Sequence, residues 1–182
     1  MARRQPLPTR WLMTDERMGE RIWVALARLP RGGGVVFRHY GLPLAARRAL
    51  FARVARVARR RGLVLIRAGS VRLGRDEAGV HNIRGIGLRT AAAHTRPEAV
   101  AAVREGADLL FVSPFFATRS HPGARFLAVR RARRVYAGLP VPVIALGGMD
   151  EARFRQVRRI GVSGWAGIDA WARDQKRKAV PT

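Results

Sequence analysis

The chain has 182 residues, 48% of them hydrophobic, and carries 36 Lys and Arg against 12 Asp and Glu, a formal net charge of +24. That length suits one domain with a sizeable core, and no apolar run reaches the ~18 residues that a membrane span needs. There is no cysteine, which excludes disulfides, thiolate catalysis and thiolate metal sites.

The opening Met1-Ala2-Arg3-Arg4-Gln5-Pro6-Leu7-Pro8 has charge but no apolar segment behind it. No secretory signal is read there, and a cytoplasmic protein is expected. Short apolar, β-rich runs then alternate with Ala- and Arg-rich helical stretches, the pattern of βα units around a parallel sheet. Trp11–Thr14 is the first predicted strand and Val35–Arg38 the second. Gly32-Gly33-Gly34 precedes a strand instead of following one, so it is no dinucleotide loop. The rival fold, an open doubly wound sheet, lacks its Gly-rich first turn. A helix follows in which Leu50, Val54 and Val57 form the core stripe, while Arg47, Arg53, Arg56 and Arg60 point to water.

Leu63–Arg67 is the third strand. Ser70–Ala78 is too short and too polar for a barrel helix, so an abbreviated unit is expected there. Gly79–His81 and Gly87–Ala91 are strands four and five. Thr95-Arg96-Pro97-Glu98 is a capping box with proline in the first turn, and it opens a helix striped by Val100, Val103 and Ala107. Leu109–Ser113 is strand six, and Phe126, Val129 and Val135 stripe the next helix. Val143–Leu146 is strand seven. Asp150 and Glu151 start a helix where acidic groups suit the dipole, with Phe154, Val157 and Ile160 behind them. Gly164–Ile168 is strand eight. Eight strands close a barrel, so the expected fold is α/β, a small and compact (β/α)8 TIM barrel. One domain is expected over 1–182, with 1–10 and 172–182 as flexible ends.

Barrels of this kind hold phosphates at the C-terminal ends of their strands. Gly147-Gly148 lets the backbone approach a phosphate closely, and a helix N-terminus follows. Gly167 and Ile168 end the neighbouring strand. Thr118 and Ser120 bring hydroxyls that donate to phosphate oxygens or shape a turn. Arg38 can grip an oxyanion bidentately. His39, His81, His94 and His121 lack metal-ligand spacing and are read as loop or core-edge groups. The +24 charge has two readings, a polyanion partner or an Arg-rich compositional bias. The arginines are dispersed, and neither an aromatic-interleaved stripe nor a nucleic-acid module is present, so specific nucleic-acid binding is not expected.

Five segments, in order, resemble the thiamine phosphate synthase superfamily. Trp11-Leu12-Met13-Thr14-Asp15 is similar to its first strand. Val36-Phe37-Arg38-His39-Tyr40-Gly41-Leu42 is similar to its Gln-x-Arg-x-Lys strand end, and Ala78-Gly79-Val80-His81 to its Asp-Gly-Val-His. Phe115-Phe116-Ala117-Thr118-Arg119-Ser120-His121 resembles its Thr-rich loop, and Ala145-Leu146-Gly147-Gly148-Met149 its Gly-Gly strand end. The resemblance covers roughly Trp11 to Trp171. It implies a reaction in which a hydroxymethylpyrimidine diphosphate ionises and a thiazole phosphate captures the cation. Such chemistry rests on charge stabilisation more than on acid–base catalysis.

The resemblance places Arg38 on the family's arginine, Thr118 and Ser120 on its diphosphate-loop hydroxyls, and His121 on its lysine. Gly147 and Gly148 fall on its phosphate-binding glycines. The departures are as informative. Arg67-Ala68 replaces Asn-Asp, and Asn82-Ile83-Arg84-Gly85 replaces Gly-Gln-x-Asp, so both Mg²⁺-binding aspartates of the family are lost and no metal or other cofactor is expected. Val36, Tyr40 and Ala92 replace a Gln, a Lys and a Ser, though His94 remains. Asp169 replaces a Ser. Arg67 is expected to stand in for the metal as a fixed cation. The thiazole tautomerase branch has a His where this chain has Ser113-Pro114, so that activity is not supported.

The catalytic candidates are therefore Arg38, Arg67 and His121, and the phosphate-binding candidates Thr118, Ser120, Gly147, Gly148, Gly167 and Ile168. The implied function is thiamine phosphate synthase-like, with small phosphorylated pyrimidine and thiazole partners and an eroded metal site. The alternatives are a non-catalytic phosphate-ligand-binding or regulatory barrel and, third, a basic polyanion-binding protein. Oligomeric state is left open.

Overall fold

The structure, a computed structural model, describes residues 6–117 and 129–172. Eight parallel strands close into a barrel in strict chain order, each paired with its sequence neighbour and the last with the first. They are β1 (Arg10–Met13), β2 (Gly34–Phe37), β3 (Val64–Ala68), β4 (Gly79–His81), β5 (Leu88–Ala93), β6 (Leu109–Val112), β7 (Val143–Ala145) and β8 (Gly164–Gly167). The helices are α1 (Arg21–Arg28), α2 (Leu44–Arg61), α3 (Arg96–Arg104), α4 (Val129–Tyr136), α5 (Glu151–Val157) and the single turn α6 (Asp169–Ala172). The expected barrel is found and the open doubly wound sheet is not. All eight strands lie within a residue or two of their predicted places. No helix joins β3 to β4, as the polar Ser70–Ala78 stretch suggested, and none joins β4 to β5.

Strand pleating divides the apolar residues into three packed layers. Trp11, Met13, Val36, Ile66, Ala68, Leu109, Phe111, Ile144 and Ala166 fill the barrel. Their neighbours Leu12, Val35, Phe37 and Leu65 face outward to α1 and α2, while Leu110, Val112, Val143 and Ala145 face the second helical layer.

Several local expectations meet a different outcome. In α2 the buried side chains are Arg47, Phe51, Val54, Ala55 and Ala58, and Leu50 and Val57 are only partly buried. The inward stripe therefore sits one step round the helix, and Arg47, expected in water, is 7% exposed. Thr95 caps α3 by accepting from the Glu98 N–H, and the Glu98 carboxylate reaches back over the cap, accepting from the His94 N–H at 2.7 Å with the Thr95 N–H beside it. The end expected to be loose over 1–10 is tied from Pro8 onward. Trp11 Nε1 donates to the Pro8 carbonyl at 2.7 Å, the Trp165 N–H donates to Thr9 O at 2.9 Å, and Arg10 begins β1. At the other end Ala172 is buried. Phe126, predicted to stripe a helix, lies outside the described residues.

Asp150 and Glu151 behave as their position suggests. The Asp150 carboxylate accepts from the Arg153 N–H at 2.8 Å and caps α5. Glu151 accepts both Nε and Nη2 of Arg10 at 2.8 and 2.9 Å and also the Trp165 indole N–H at 2.9 Å. The first strand, the last strand and α5 are thereby tied at one carboxylate.

Candidate functional site

Because all eight strands are parallel, their C-terminal ends open on one face. Arg38 follows β2 there, Gly147-Gly148 follows β7, and Gly167-Ile168 closes β8. Thr118, Ser120 and His121 lie outside the described residues.

Arg38 is fixed by the end of β1. Its Nε donates to Thr14 O at 2.9 Å, its Nη2 to Asp15 Oδ2 at 3.1 Å, and its backbone N–H to Thr14 Oγ1 at 3.0 Å. Asp15 also takes two hydrogen bonds from the Arg17 guanidinium. That bond above all, with the field of Arg38 added, holds the Asp15 carboxyl down at about 2. Arg38 is thus a charge held in place, with 27% of its side chain still exposed.

Arg67 is placed otherwise than expected. Ile66 and Ala68 point into the barrel, so strand alternation turns Arg67 outward with Leu65. Its Nε pairs with Glu77 Oε2 at 2.8 Å, both side chains being about nine-tenths buried, and its Nη1 donates to Gly69 O. The expectation of a cation facing a ligand in the barrel is corrected: Arg67 is half of a buried ion pair on the outer wall. The single apolar run of β3 conceals this, because a strand buried on both faces shows no alternation of polarity.

The interior offers a polar pair, His81 and Thr90, that residue types alone did not single out. His81 is 4% exposed at the inner end of β4 and meets Phe111 edge-on at 5.5 Å. Thr90 Oγ1 donates to Val80 O at 3.5 Å, so it accepts from His81 Nδ1 at 2.9 Å. That leaves Nε2 as the imidazole's lone-pair nitrogen. Burial, with Arg38 adding repulsion, pushes His81 down to about 4. His94, outside this interior, has Nδ1 3.0 Å from Ser113 O and 3.2 Å from Ser113 Oγ. The signal for His81 was its place at the end of a three-residue Gly-Val-His strand, where period-2 alternation puts it beside the inward Gly79.

Gly147 and Gly148 have φ of +90° and +59°, a conformation that glycine adopts without strain. The turn is pinned to the chain after β6: the Phe115 and Phe116 N–H groups donate to Leu146 O and Gly147 O at 3.0 and 3.1 Å. Arg153 adds a further tie, donating from Nη1 to Gly148 O with its guanidinium 5.0 Å above the Phe116 ring. Asp150 places a carboxylate at the start of the seven-residue α5, so the helix end itself is unsuited to an anion. Gly167 is a packing position, where a Cβ would stand 3.1 Å from the Trp165 ring and 3.2 Å from Ala170. Ile168 packs into the interior layer. Gly148→Val is expected to lower phosphate-ligand affinity at least about tenfold by calorimetry, since it closes the backbone approach. Unchanged affinity in a folded variant would make the pair a turn and nothing more.

The Mg²⁺ that the family resemblance implies needs carboxylate or phosphate oxygens. Among the described residues no three His, Asp or Glu side chains come together. The two carboxylates nearest the β1–β3 ends are already taken, Asp15 by Arg17 and Arg38 and Glu77 by Arg67 and the Leu73 and Gly74 amides. Ala68 has no ligand atom in its side chain. The residues present do not fit the ion, and no step is derived through it.

The fold and the mouth together define a (β/α)8 barrel with a glycine turn and a fixed arginine at its C-terminal face. A family model described as thiamine monophosphate synthase matches residues 56–171, and the chain belongs to that family. It is 36% identical over 107 residues to the thiamine-phosphate synthase of Chloroflexus aurantiacus, covering 57% of this chain and 50% of that protein. It is 34% identical over 121 residues to the thiamine-phosphate synthase of Geobacillus kaustophilus, covering 63% and 54%. The chain spans about half the length of these curated relatives. Thiamine phosphate pyrophosphorylase from Pyrococcus furiosus superposes with a TM-score of 0.75 over 95% of this chain and 91% of that one, at 24% identity, which establishes the shared fold. Among the described residues no helix is long and apolar enough to cross a membrane.

Proposed function

We propose that this protein binds phosphorylated pyrimidine and thiazole ligands at the C-terminal mouth of its barrel and acts, where it acts, as a thiamine phosphate synthase with an eroded metal site. The observation that carries this reading is the meeting, in a member of this family, of Arg38 and the Gly147-Gly148 turn on one barrel face. In the reaction, the pyrimidine methylene–oxygen bond breaks and its electron pair leaves with diphosphate. The thiazole nitrogen lone pair then forms the new carbon–nitrogen bond. Arg38 is the described cation suited to the departing charge. The glycine turn is suited to the thiazole phosphate, and Thr118, Ser120 and His121 are assigned to the diphosphate.

The second reading, a phosphate-ligand binder without turnover, is favoured by a specific observation. Carboxylates occupy Arg38 and Arg67, and no three His, Asp or Glu side chains come together among the described residues. Steady-state assay of purified protein with both substrates separates the two. Slow or absent thiamine phosphate formation, with phosphate ligands still bound, is expected, and any activity should fall with Arg38→Ala. Brisk Mg²⁺-dependent turnover would refute the eroded site, and failure to bind either substrate would refute the family function altogether.

A further inference from the structure

Buried charges in proteins are paired, because an isolated ion in a poorly solvated place costs several kcal/mol. Three arginines crowd the ends of β2 and β3, and they are not treated alike. Arg38 has Asp15 and Arg67 has Glu77. Arg47, which reaches over from the first turn of α2, has no carboxylate within ion-pair distance among the described residues, although it is only 7% exposed. Its Nη2 spends both hydrogens on carbonyls at the strand ends, Arg38 O at 2.8 Å and Ala68 O at 2.7 Å. Its Nε is enclosed with no partner at all. Its Nη1 makes no hydrogen bond among the described residues and, unlike Nε, is not enclosed.

The surroundings disfavour the cation further. Burial first, then repulsion by Arg67, pulls the Arg47 pKa down, and the fields of Tyr40 and Glu16 only partly offset this. Glu16 itself is held away, accepting the Gly41 N–H at 2.8 Å. The Tyr40 ring lies 5.4 Å from the guanidinium carbon and is 57% exposed, a loose cover on one side of the charge. On the other side Gly69, at φ +87°, leaves the strand end without a side chain: a Cβ there would stand 3.5 Å from both Nη1 and Nη2 of Arg47 and from the Tyr40 ring. The result is an uncompensated, pre-positioned guanidinium on the same face as the glycine turn.

We propose that Arg47 is a phosphate-binding residue, donating from Nη1 to an oxyanion of a diphosphate group that lodges between the β2 and β3 ends beside Tyr40 and Gly69, with no metal ion required. This rests on the reading of the barrel mouth as a phosphate site, and it adds to that site a residue supplied by a helix. The anion supplies the countercharge that the fold leaves out.

The experiment is a titration of the full chain with inorganic pyrophosphate in the presence of a chelator, followed by calorimetry and by thermal melting. Wild-type protein should bind and should melt at a higher temperature as pyrophosphate is added. Arg47→Met keeps length and apolar contact, and should lose about tenfold or more in affinity, the worth of a charge-assisted hydrogen bond. Without the anion, its melting temperature should be equal to or above wild type, because an uncompensated charge has gone. Arg48→Met, a surface change one residue along the same helix, should leave both unchanged. A merely structural Arg47 predicts the opposite, a lower melting temperature with affinity intact, and would overturn the proposal. Should Arg47→Met fail to fold, a wild-type melting temperature indifferent to pyrophosphate overturns the proposal. Pyrophosphate binding through Arg47 in a protein that makes no thiamine phosphate would refute the synthase reading and leave this site standing.

Discussion

Gly164→Ala is expected to remove a large share of the protein's stability. Gly164 is the first residue of β8, and a Cβ there would fall well inside 3.0 Å of the carbonyl oxygen, carbonyl carbon and Cα of Thr9. These are backbone atoms of the segment entering β1, which Trp165 N–H bonds at Thr9 O. No rotamer can relieve the clash, so one of the two strands must move. Overpacking of this kind costs about 3 kcal/mol or more, a large share of a typical domain's stability. Urea titration gives the number, and Gly41→Ala is the comparison, its new methyl meeting nothing nearer than Glu16 Oε1 at 3.6 Å. Equal stability of the two variants would show that β8 does not abut the entry to β1.

Acid should weaken the fold from pH 6.5 downward, well before most carboxylates titrate. His81 is pushed from an ordinary 6.5 to about 4 by burial, with Arg38 adding repulsion. The unfolded chain therefore binds a proton between those values that the folded chain refuses, and stability rises with pH across that window. The contribution is complete above 6.5, falls as the pH drops, and levels off below 4, amounting to about 3 kcal/mol. His39, lowered chiefly by burial, acts in the same direction. Asp15, held at about 2 against an ordinary 3.8 and bonded first of all to Arg17, extends the loss to lower pH. Denaturant unfolding at a series of pH values tests this, and His81→Asn should flatten the profile between 6.5 and 4. A flat wild-type profile over that range would mean that His81 accepts its proton in the native state.

The fold was legible because the strands are apolar runs set between turn residues and charged helices, a contrast that survives even with 36 basic residues. The facing of individual side chains was harder to read. Arg67 and Ala68 could not be assigned to the outside and inside of β3, because both walls of that strand are buried. Arg47 was read as solvated because the stripe was anchored on Leu50 and Val57, whereas Phe51, Ala55 and Ala58 mark the inward face, and alanine gives little hydrophobic contrast. The glycine turn was legible, since two adjacent glycines at a strand end point to a backbone requirement, and both have positive φ. Alternation along β4 faces His81 inward, but its partner Thr90 emerged only with the pairing of β4 and β5.

A barrel whose strands pair strictly in chain order has one seam between distant parts of the chain, and here that seam is β1 with β8. Seven of the pairings can form as each strand leaves the ribosome. The eighth waits for residues 164–167, and until then β1 presents a bare edge of unpaired N–H and C=O groups. The seam is then fastened from two of the helices. Glu151 of α5 grips Arg10 and Trp165, and the Trp171 indole of α6 donates to Trp11 O at 2.9 Å while stacking on Trp165 at 4.5 Å. The last strand thus works as a latch, and the interval before it arrives is the period in which a newly made chain is most open to pairing with a neighbour.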